Sequence, residues 1–593
     1  MRRTRELPAD QATYRKSGAS RQLLQLVNRA WQSTQKADNL HWHELEYRQA
    51  LECERLMNNY DAIVIGAGHN GLTNAAFLAK AGLRVLVVER NSYIGGATVS
   101  RELHRGWKYS NCSYVCSLFR PEIYNALDLG RHGLKLIPLI SSMTFKQDGD
   151  YFGSYSQPNV RRRELMRHSQ RDADAAIRFD ADILRWCRLI RSFLLRTPPD
   201  PGSFRPRDIF EFGYLMKKFY ELSEPQIYEF IRFFTMSIAE YLENYFENEV
   251  VLAHYSGGSI IGTGLGVYSP GTAYVLLHHA MGDVDGNIGS WGFARGGMGA
   301  VADALASSLQ SYGGEIRTDA EVARITVTNN KATGIELASG ERITAKTVVS
   351  NLDVKRTYLQ IMDEADLPPK LVHRAKHFKI RGSSGKLNIA LDGMPQFPAL
   401  PDGSPLTLGH MHFTDTLRRL EKAYDDWKDD RWSADPYCDV LVPSQFDPSL
   451  APPGKHMMTV FVQYCPVDPD GGWTDEKRAQ FGQIVINQIA DYSPNFKDLV
   501  LHVEVRTPRE IEDETGLTEG NIFQGELTFD QLLFNRPFPG YAQYRGPVKG
   551  MYMCGSSTHP GGGVMGAPGA NAAREILRDL RKPDTTPEEF SDD

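Results

Sequence analysis

The stretch DAIVIGAGHNGLTNAAFLAKAGLRVLVVE, residues 61 to 89, constrains this chain more than any other. An apolar, β-branched run from Asp61 to Ile65 breaks at Gly66, and the spacing Gly66-x-Gly68-x-x-Gly71 follows at once. An alanine-rich helical pattern then runs from Leu72 to Ala81, and a second apolar run, Arg84 to Val88, ends on Glu89. Strand, glycine turn, helix and strand within about thirty residues is the pattern of a dinucleotide-binding βαβ unit. Gly66 permits the tight turn, Gly68 lets a pyrophosphate approach the backbone, and Gly71 lets the helix pack closely on the strand. The helix N-terminus faces the phosphate charge. Glu89, at the end of the second strand, offers a carboxylate to ribose hydroxyls.

Gly95 and Gly96 follow Glu89 after a five-residue gap. This Glu-x5-Gly-Gly arrangement resembles the flavoprotein branch of dinucleotide-binding folds, in which a second backbone loop reaches the FAD pyrophosphate. The resemblance implies FAD, where an NAD-binding dehydrogenase usually lacks the sequel. The runs GAGHNGL, GGA, SYVCSLFRPEIY and LGRHGLKL are, more narrowly, similar to a subgroup of the carotenoid-desaturase type flavoproteins, a likeness that covers about residues 59–582. The closing stretch MYMCGSSTHPGGGVMGAPGANAAREILRDL carries the second signature: a strand ending at Gly555, a glycine-rich loop, and a helix from about Met565 to Leu580. The resemblance places Gly555 and Ser556 near the ribityl phosphate, Gly563, Val564 and Gly566 under the isoalloxazine, and the backbone of Val322 against the adenine. A helix N-terminus aimed at the flavin N1–C2 edge stabilises the negative charge of the reduced ring.

The expected fold is α/β. A discontinuous Rossmann-like FAD-binding domain is built from 59–155, 286–355 and 546–582, and a second, mixed sheet-and-helix substrate domain from 156–285 and 356–545. Residues 1–58 form an N-terminal extension and 583–593 a C-terminal tail. The implied activity is that of an FAD-dependent oxidoreductase of desaturase or dehydrogenase type, moving a hydride from a C–H bond of an apolar organic substrate to flavin N5. The alternative is a protein that binds FAD for stability and acts chiefly as a partner or regulator. No catalytic base is plain in the sequence, and His559 is the best single candidate because it lies in the flavin loop.

Two patterns mimic other chemistry. Gly297-x-Gly299-x-x-Ala302 satisfies the dinucleotide spacing but follows no strand pattern, so it reads as a loop and a helix, Ala300 to Gln310, packed on the FAD sheet. With a single dinucleotide fold, NAD(P)H is expected to reduce the flavin poorly. Cys112 and Cys116 have three residues between them, where flavin disulfide reductases have four, and they read as two small buried residues. Seven cysteines in all suggest a reducing compartment and no disulfide framework.

A net charge of -6 argues against nucleic acid as a bulk partner. No apolar run reaches the length of a membrane span, and no signal-peptide start is present. The expectation is a soluble protein with at most peripheral membrane contact, cytoplasmic in a bacterium and in the mitochondrial matrix of a eukaryote. The first 58 residues begin basic and carry helical apolar spacing, which reads as a docking arm toward a second copy or a protein partner or as a solvated extension, with a mitochondrial presequence the lesser alternative. His41 and His43 have no partners at metal-ligand spacing, and no metal is expected.

Residues 160–285 carry Phe, Tyr and Met at helical spacing, readable either as a core layer or as a layer lining a substrate channel. Gly257 to Gly271 is too glycine-rich for a helix and reads as pocket lining. KLNIALDGMPQFP and MMTVFVQYCPV read as strands of the substrate-side sheet, and His410 and His412 alternate on a strand so that both point to one face. The resemblance implies a His, as in several members of that family, where Gln524 stands in NIFQGEL.

Overall fold

The computed structural model describes residues 59–401 and 409–587, so the expected N-terminal arm lies outside the described residues. Its first sheet follows the hydrogen-bonding order Glu315–Arg317, Val85–Val88, Asn59–Ile65, Arg342–Ser350, Lys331–Leu337 and Val322–Thr328, with Met551–Met553 pairing beside Arg342–Ser350. Val85–Val88 is parallel to both its neighbours, in register Ala62 to Val85 and Glu315 to Leu86. Val85–Val88 and the segment 62–65 read as unbroken apolar runs because both faces are covered there. On one face lie the helices His69–Lys80, Gly299–Ser311 and Ala567–Asp579, packed side by side. The other face carries Ile63, Ile65 and Val348 into a second apolar cluster with Val354, Leu371 and Val372.

The helix Gly299–Ser311 is preceded by a three-residue strand, Gly292–Ala294, that the sequence pattern does not show. It pairs antiparallel with Leu136–Pro138 in a separate ribbon, so no second βαβ unit forms there.

The second sheet runs Val500–Arg506, Ser384–Leu391, His456–Gln463, Tyr437–Leu441, His410–His412, Ser141–Phe145 and Tyr151–Tyr155. The two strands expected there from the sequence, Ser384–Leu391 and His456–Gln463, are adjacent interior strands of it. Residues 141–155, grouped by sequence with the FAD-binding segments, supply its edge: Met143 and Phe145 enter the apolar cluster of this sheet, and Ser141–Phe145 runs parallel to His410–His412. Side chains alternate between faces with period two. Leu387, Ile389, Val440, Val460 and Val462 pack on one side with Phe481, Val485 and Ile489 of the helix Asp475–Tyr492. The opposite side is also buried, yet it carries Lys386, Asn388, Asp439, Thr459, His410 and His412.

Between the sheets' segments stand six helices from Gln170–Leu194 to Thr272–Ala280. Phe179, Trp186, Phe193, Phe230 and Phe233 are buried, so the inner stripe is core. Ile209, Phe210, Tyr220, Tyr228 and Ile231 are exposed on the outer side. The glycine-rich stretch opens with the helix Glu249–Gly257 and continues as turns to Gly271. Among the described residues, no helix is long and apolar enough to cross a membrane.

Candidate flavin site

The glycine turn is built by close approach. Gly66 has φ of +93°, in the left-handed region that a side chain resists, and its N–H donates to Val88 O at 2.8 Å. A Cβ on Gly71 would stand 2.3 Å from Gly66 O, so only glycine lets the helix sit on the turn. A Cβ on Gly68 would meet Asn351 Nδ2 at 2.9 Å. Gly95 N donates to Ala67 O at 3.0 Å, and Gly68 and Gly95 form a parallel bridge that zips the second glycine loop to the first. Glu89 is buried, and its carboxylate accepts from Ala67 N at 2.9 Å and Asn91 N at 3.0 Å.

Gly66, Gly68, Glu89, Gly96, Val322 and Ser556 all line one cavity. Asn70 Nδ2 donates to Ser556 Oγ at 3.2 Å, which joins the two sequence signatures across 486 residues. Gly71, Gly95 and Gly555 stand just behind the lining; a Cβ on Gly555 would lie 2.6 Å from Asn351 O. Gly563 and Gly566 sit further along, against Leu118 and against Phe119 and Ile123. Val564 has φ of +58°, a rare conformation for a β-branched residue and one of the kind that clusters at functional sites.

Several lining residues escaped the sequence reading. Asn351 follows the strand Arg342–Ser350, takes Ile65 O through its N–H at 2.9 Å and donates from Nδ2 to Gly66 O at 3.3 Å. Its only sequence signal is its place at a strand end. His69, Asn70, Arg356 and Gln524 join it in the lining. Arg536 lies beneath, fully buried, donating to Ser556 O, Phe523 O, Glu526 O and Gln531 O at 2.7–3.1 Å, which ties the closing glycine loop to residues 523–531. Burial pushes its guanidinium down to about 10.

His559 is placed apart from this cavity lining. Its Nε2 lies 2.9 Å from Phe193 O, its backbone carbonyl accepts from Tyr544 Oη at 2.9 Å, and burial pushes its imidazole down to about 4. Cys112 and Cys116 are buried free thiols, each pushed up to about 12 by burial. Among the described residues no cluster has the make-up of a metal site.

The lining fits an extended dinucleotide on this chain's own terms. His69 Nε2, Asn70 Oδ1 and Gln524 Oε1 are buried polar atoms with no hydrogen-bond partner in the protein, although polar atoms at such depth are ordinarily satisfied. The glycines give backbone N–H groups room to meet phosphate oxygens, and the helix His69–Lys80 points its N-terminus at the cavity. Glu89, Val322, Ser556 and Gln524 line the same cavity, so the residues that the resemblance gives to the adenosine and to the ribityl chain share one space.

Beyond the glycine loop, a polar group is set into the second sheet. Tyr114 Oη donates to Asp439 Oδ2 at 2.6 Å, and His410 Nδ1 lies 2.7 and 3.0 Å from the two oxygens of the same carboxylate. Burial alone would raise the Asp439 carboxyl, but His410, then His412 and Tyr114, hold it below the usual carboxylate range. Lys386, also buried, donates to Ser110 O and is pushed down to about 7 by burial.

Comparison with known proteins agrees with this geometry. Residues 71–577 match the family described as flavin containing amine oxidoreductase. Pyridine nucleotide-disulfide oxidoreductase domain-containing protein 2 of Mus musculus is 37% identical over 560 residues, covering 89% of this chain and 95% of that protein. Prolycopene isomerase 2, chloroplastic, of an Oncidium hybrid cultivar is 24% identical over 536 residues, covering 88% of this chain and 84% of its own, in keeping with the carotenoid-desaturase likeness. A putrescine oxidase solved with putrescine bound shares the fold, with a TM-score of 0.55 at 15% identity over 88% of this chain and 99% of that one. The chain belongs to the flavin-containing amine oxidoreductase family and is an FAD-dependent oxidoreductase.

Proposed function

We propose that the enzyme dehydrogenates an apolar organic substrate, taking hydride from a C–H bond. Bound FAD supplies the two-electron acceptor. The observation that carries the reading is a row of aromatic rings between the surface and the flavin loop. Phe529, 60% exposed, lies edge-on to Phe234 at 6.2 Å between centroids, and Phe234 stacks on Tyr274 at 4.7 Å. Tyr274 lies 6.3 Å from His278, whose Nε2 is 2.9 Å from Gly562 O in the flavin loop. Such a row offers an apolar molecule contact at each step. The exposed apolar side chains on Pro206–Tyr220 and Glu224–Thr235 favour peripheral contact with a membrane as the source of such a substrate.

The test is anaerobic mixing of the FAD-loaded enzyme with a polyene, a cyclic terpene, a primary alkylamine and NADH, following loss of oxidised-flavin absorbance. The hydrocarbons should bleach the flavin and NADH should not, since a single βαβ nucleotide fold stands among the described residues. Bleaching by the amine alone would overturn the substrate class. Bleaching by NADH at roughly 1–100 per second would reveal a nicotinamide site.

A further inference from the structure

Asp439, His410 and Tyr114 form a hydrogen-bonded triad on the buried polar face of the second sheet, and the architecture of the glycine loop does not require it. His410 Nδ1 faces both Asp439 oxygens, so Nδ1 carries a proton, and in the neutral imidazole Nε2 is the nitrogen with the lone pair. That Nε2 is buried and has no hydrogen-bond partner in the protein. A carboxylate that fixes an imidazole tautomer and leaves the far nitrogen free is the arrangement of a base waiting for a proton.

The segment that carries Tyr114 ties the triad to the flavin loop. Four residues after Tyr114, Leu118 is the side chain that a Cβ on Gly563 would meet at 2.5 Å, and Arg120 N donates to Met565 O at 3.2 Å. Segment 114–120 therefore runs from the Asp439 carboxylate to the loop assigned to the isoalloxazine. The groups facing the triad are His412 on the same strand, His254 from the helix Glu249–Gly257, Tyr437 and Phe461 from neighbouring strands, and Lys386, 5.9 Å above the Tyr114 ring. Trp291 closes on His410 edge-on at 5.0 Å, and His279 lies beyond it at 5.6 Å. Burial lowers His254 and His412, and Asp439 is the carboxylate that faces His410.

We propose that His410 is the catalytic base of the dehydrogenation, with Asp439 and Tyr114 as its positioning residues. The inference rests on the reaction proposed above. One substrate C–H bond breaks with its electron pair, the hydrogen passing as hydride to the bound flavin. The adjacent C–H bond breaks heterolytically, its electron pair forms the new C=C bond, and its proton bonds to His410 Nε2.

Two measurements test it separately. Ring-15N histidine spectra of the FAD-loaded enzyme, compared with His410→Gln for assignment, should show His410 with Nδ1 protonated and Nε2 bare over the pH range in which the enzyme is active. Asp439→Asn should mix or reverse that tautomer. A wild-type His410 protonated on Nε2 throughout that range would overturn the assignment, whichever substrate is found. In anaerobic flavin reduction by an active hydrocarbon, His410→Gln should lose roughly 100- to 10,000-fold in rate with FAD content unchanged. Asp439→Asn, which keeps the side chain's shape, should lose rate and shift the pH profile together. A His410→Gln rate within about threefold of wild type, on the same pH profile, would also overturn it. If no hydrocarbon bleaches the wild-type flavin, the proposed reaction fails, and the tautomer measurement still decides whether a bare Nε2 base exists.

Discussion

A single atom decides most of what happens at Gly68 and Glu89. The Cβ of any residue at Gly68 would press on Asn351 Nδ2 and fill the backbone face that lines the cavity. Gly68→Val should therefore abolish FAD retention, read as flavin released on gel filtration after saturating reconstitution; equal occupancy with wild type would place the cofactor elsewhere. Glu89→Ala removes the acceptor for Ala67 N and Asn91 N and, on the ribose role expected from the sequence, a cofactor contact, so the affinity loss should be about 1–3 kcal/mol. Titration of apoprotein with FAD measures it. Loss of stability without loss of affinity would mean that Glu89 only holds the turn.

At the scale of elements, the FAD layer depends on how closely its first and last helices meet. A Cβ on Gly569 would come 2.2 Å from Asn70 O, and Asn74 Nδ2 donates to Gly569 O at 3.0 Å. The obstructing atom is backbone, so relief requires the helices Ala567–Asp579 and His69–Lys80 to move apart. Gly569→Val should lower stability by about 1–3 kcal/mol and stretch the Asn70 to Ser556 contact, loosening FAD at the same time. Thermal melts with and without added FAD separate the two effects. Unchanged melting with normal flavin content would show that the helix pair yields freely.

For the whole molecule, buried histidines set the acid limit of stability. Burial pushes His69, His279 and His559 down to about 4 and His278 to about 3, each the leading cause at its site. The unfolded chain takes up protons near the ordinary histidine value of about 6.5 while the folded chain does not, so stability falls with pH below that value. The loss accumulates down to the folded values, on the order of 3–5 kcal/mol at most for each histidine. Asp439 acts later: its lowered carboxyl contributes above the ordinary aspartate range, a contribution lost only as pH falls through the folded value. The melting temperature should drop steeply from about pH 6.5 to 4. His559→Gln should flatten that slope; a slope equal to wild type would mean that this imidazole is not kept neutral by the fold.

The sequence by itself determined the nucleotide half. Its glycine spacing, the acid at Glu89 and the apolar runs are local, because a βαβ unit closes within one short stretch and each residue's constraint is its neighbours' backbone. The period-two alternation of His410 and His412 was likewise legible, since pleating alone sets it. Tertiary structure decided the rest. Residues 141–155 join the second sheet because their apolar face finds Leu387 and Val460 there, a pairing no local period records. Asn351 and Arg536 are site residues only because distant loops present carbonyls and glycines to them. His559 lies in the signature loop yet turns to Phe193 O, while His410, 149 residues earlier, meets Asp439 and Tyr114 from two other segments. Spacing along the chain fixes which backbone can bend; only packing between segments fixes which buried nitrogen keeps a partner and which is left without one.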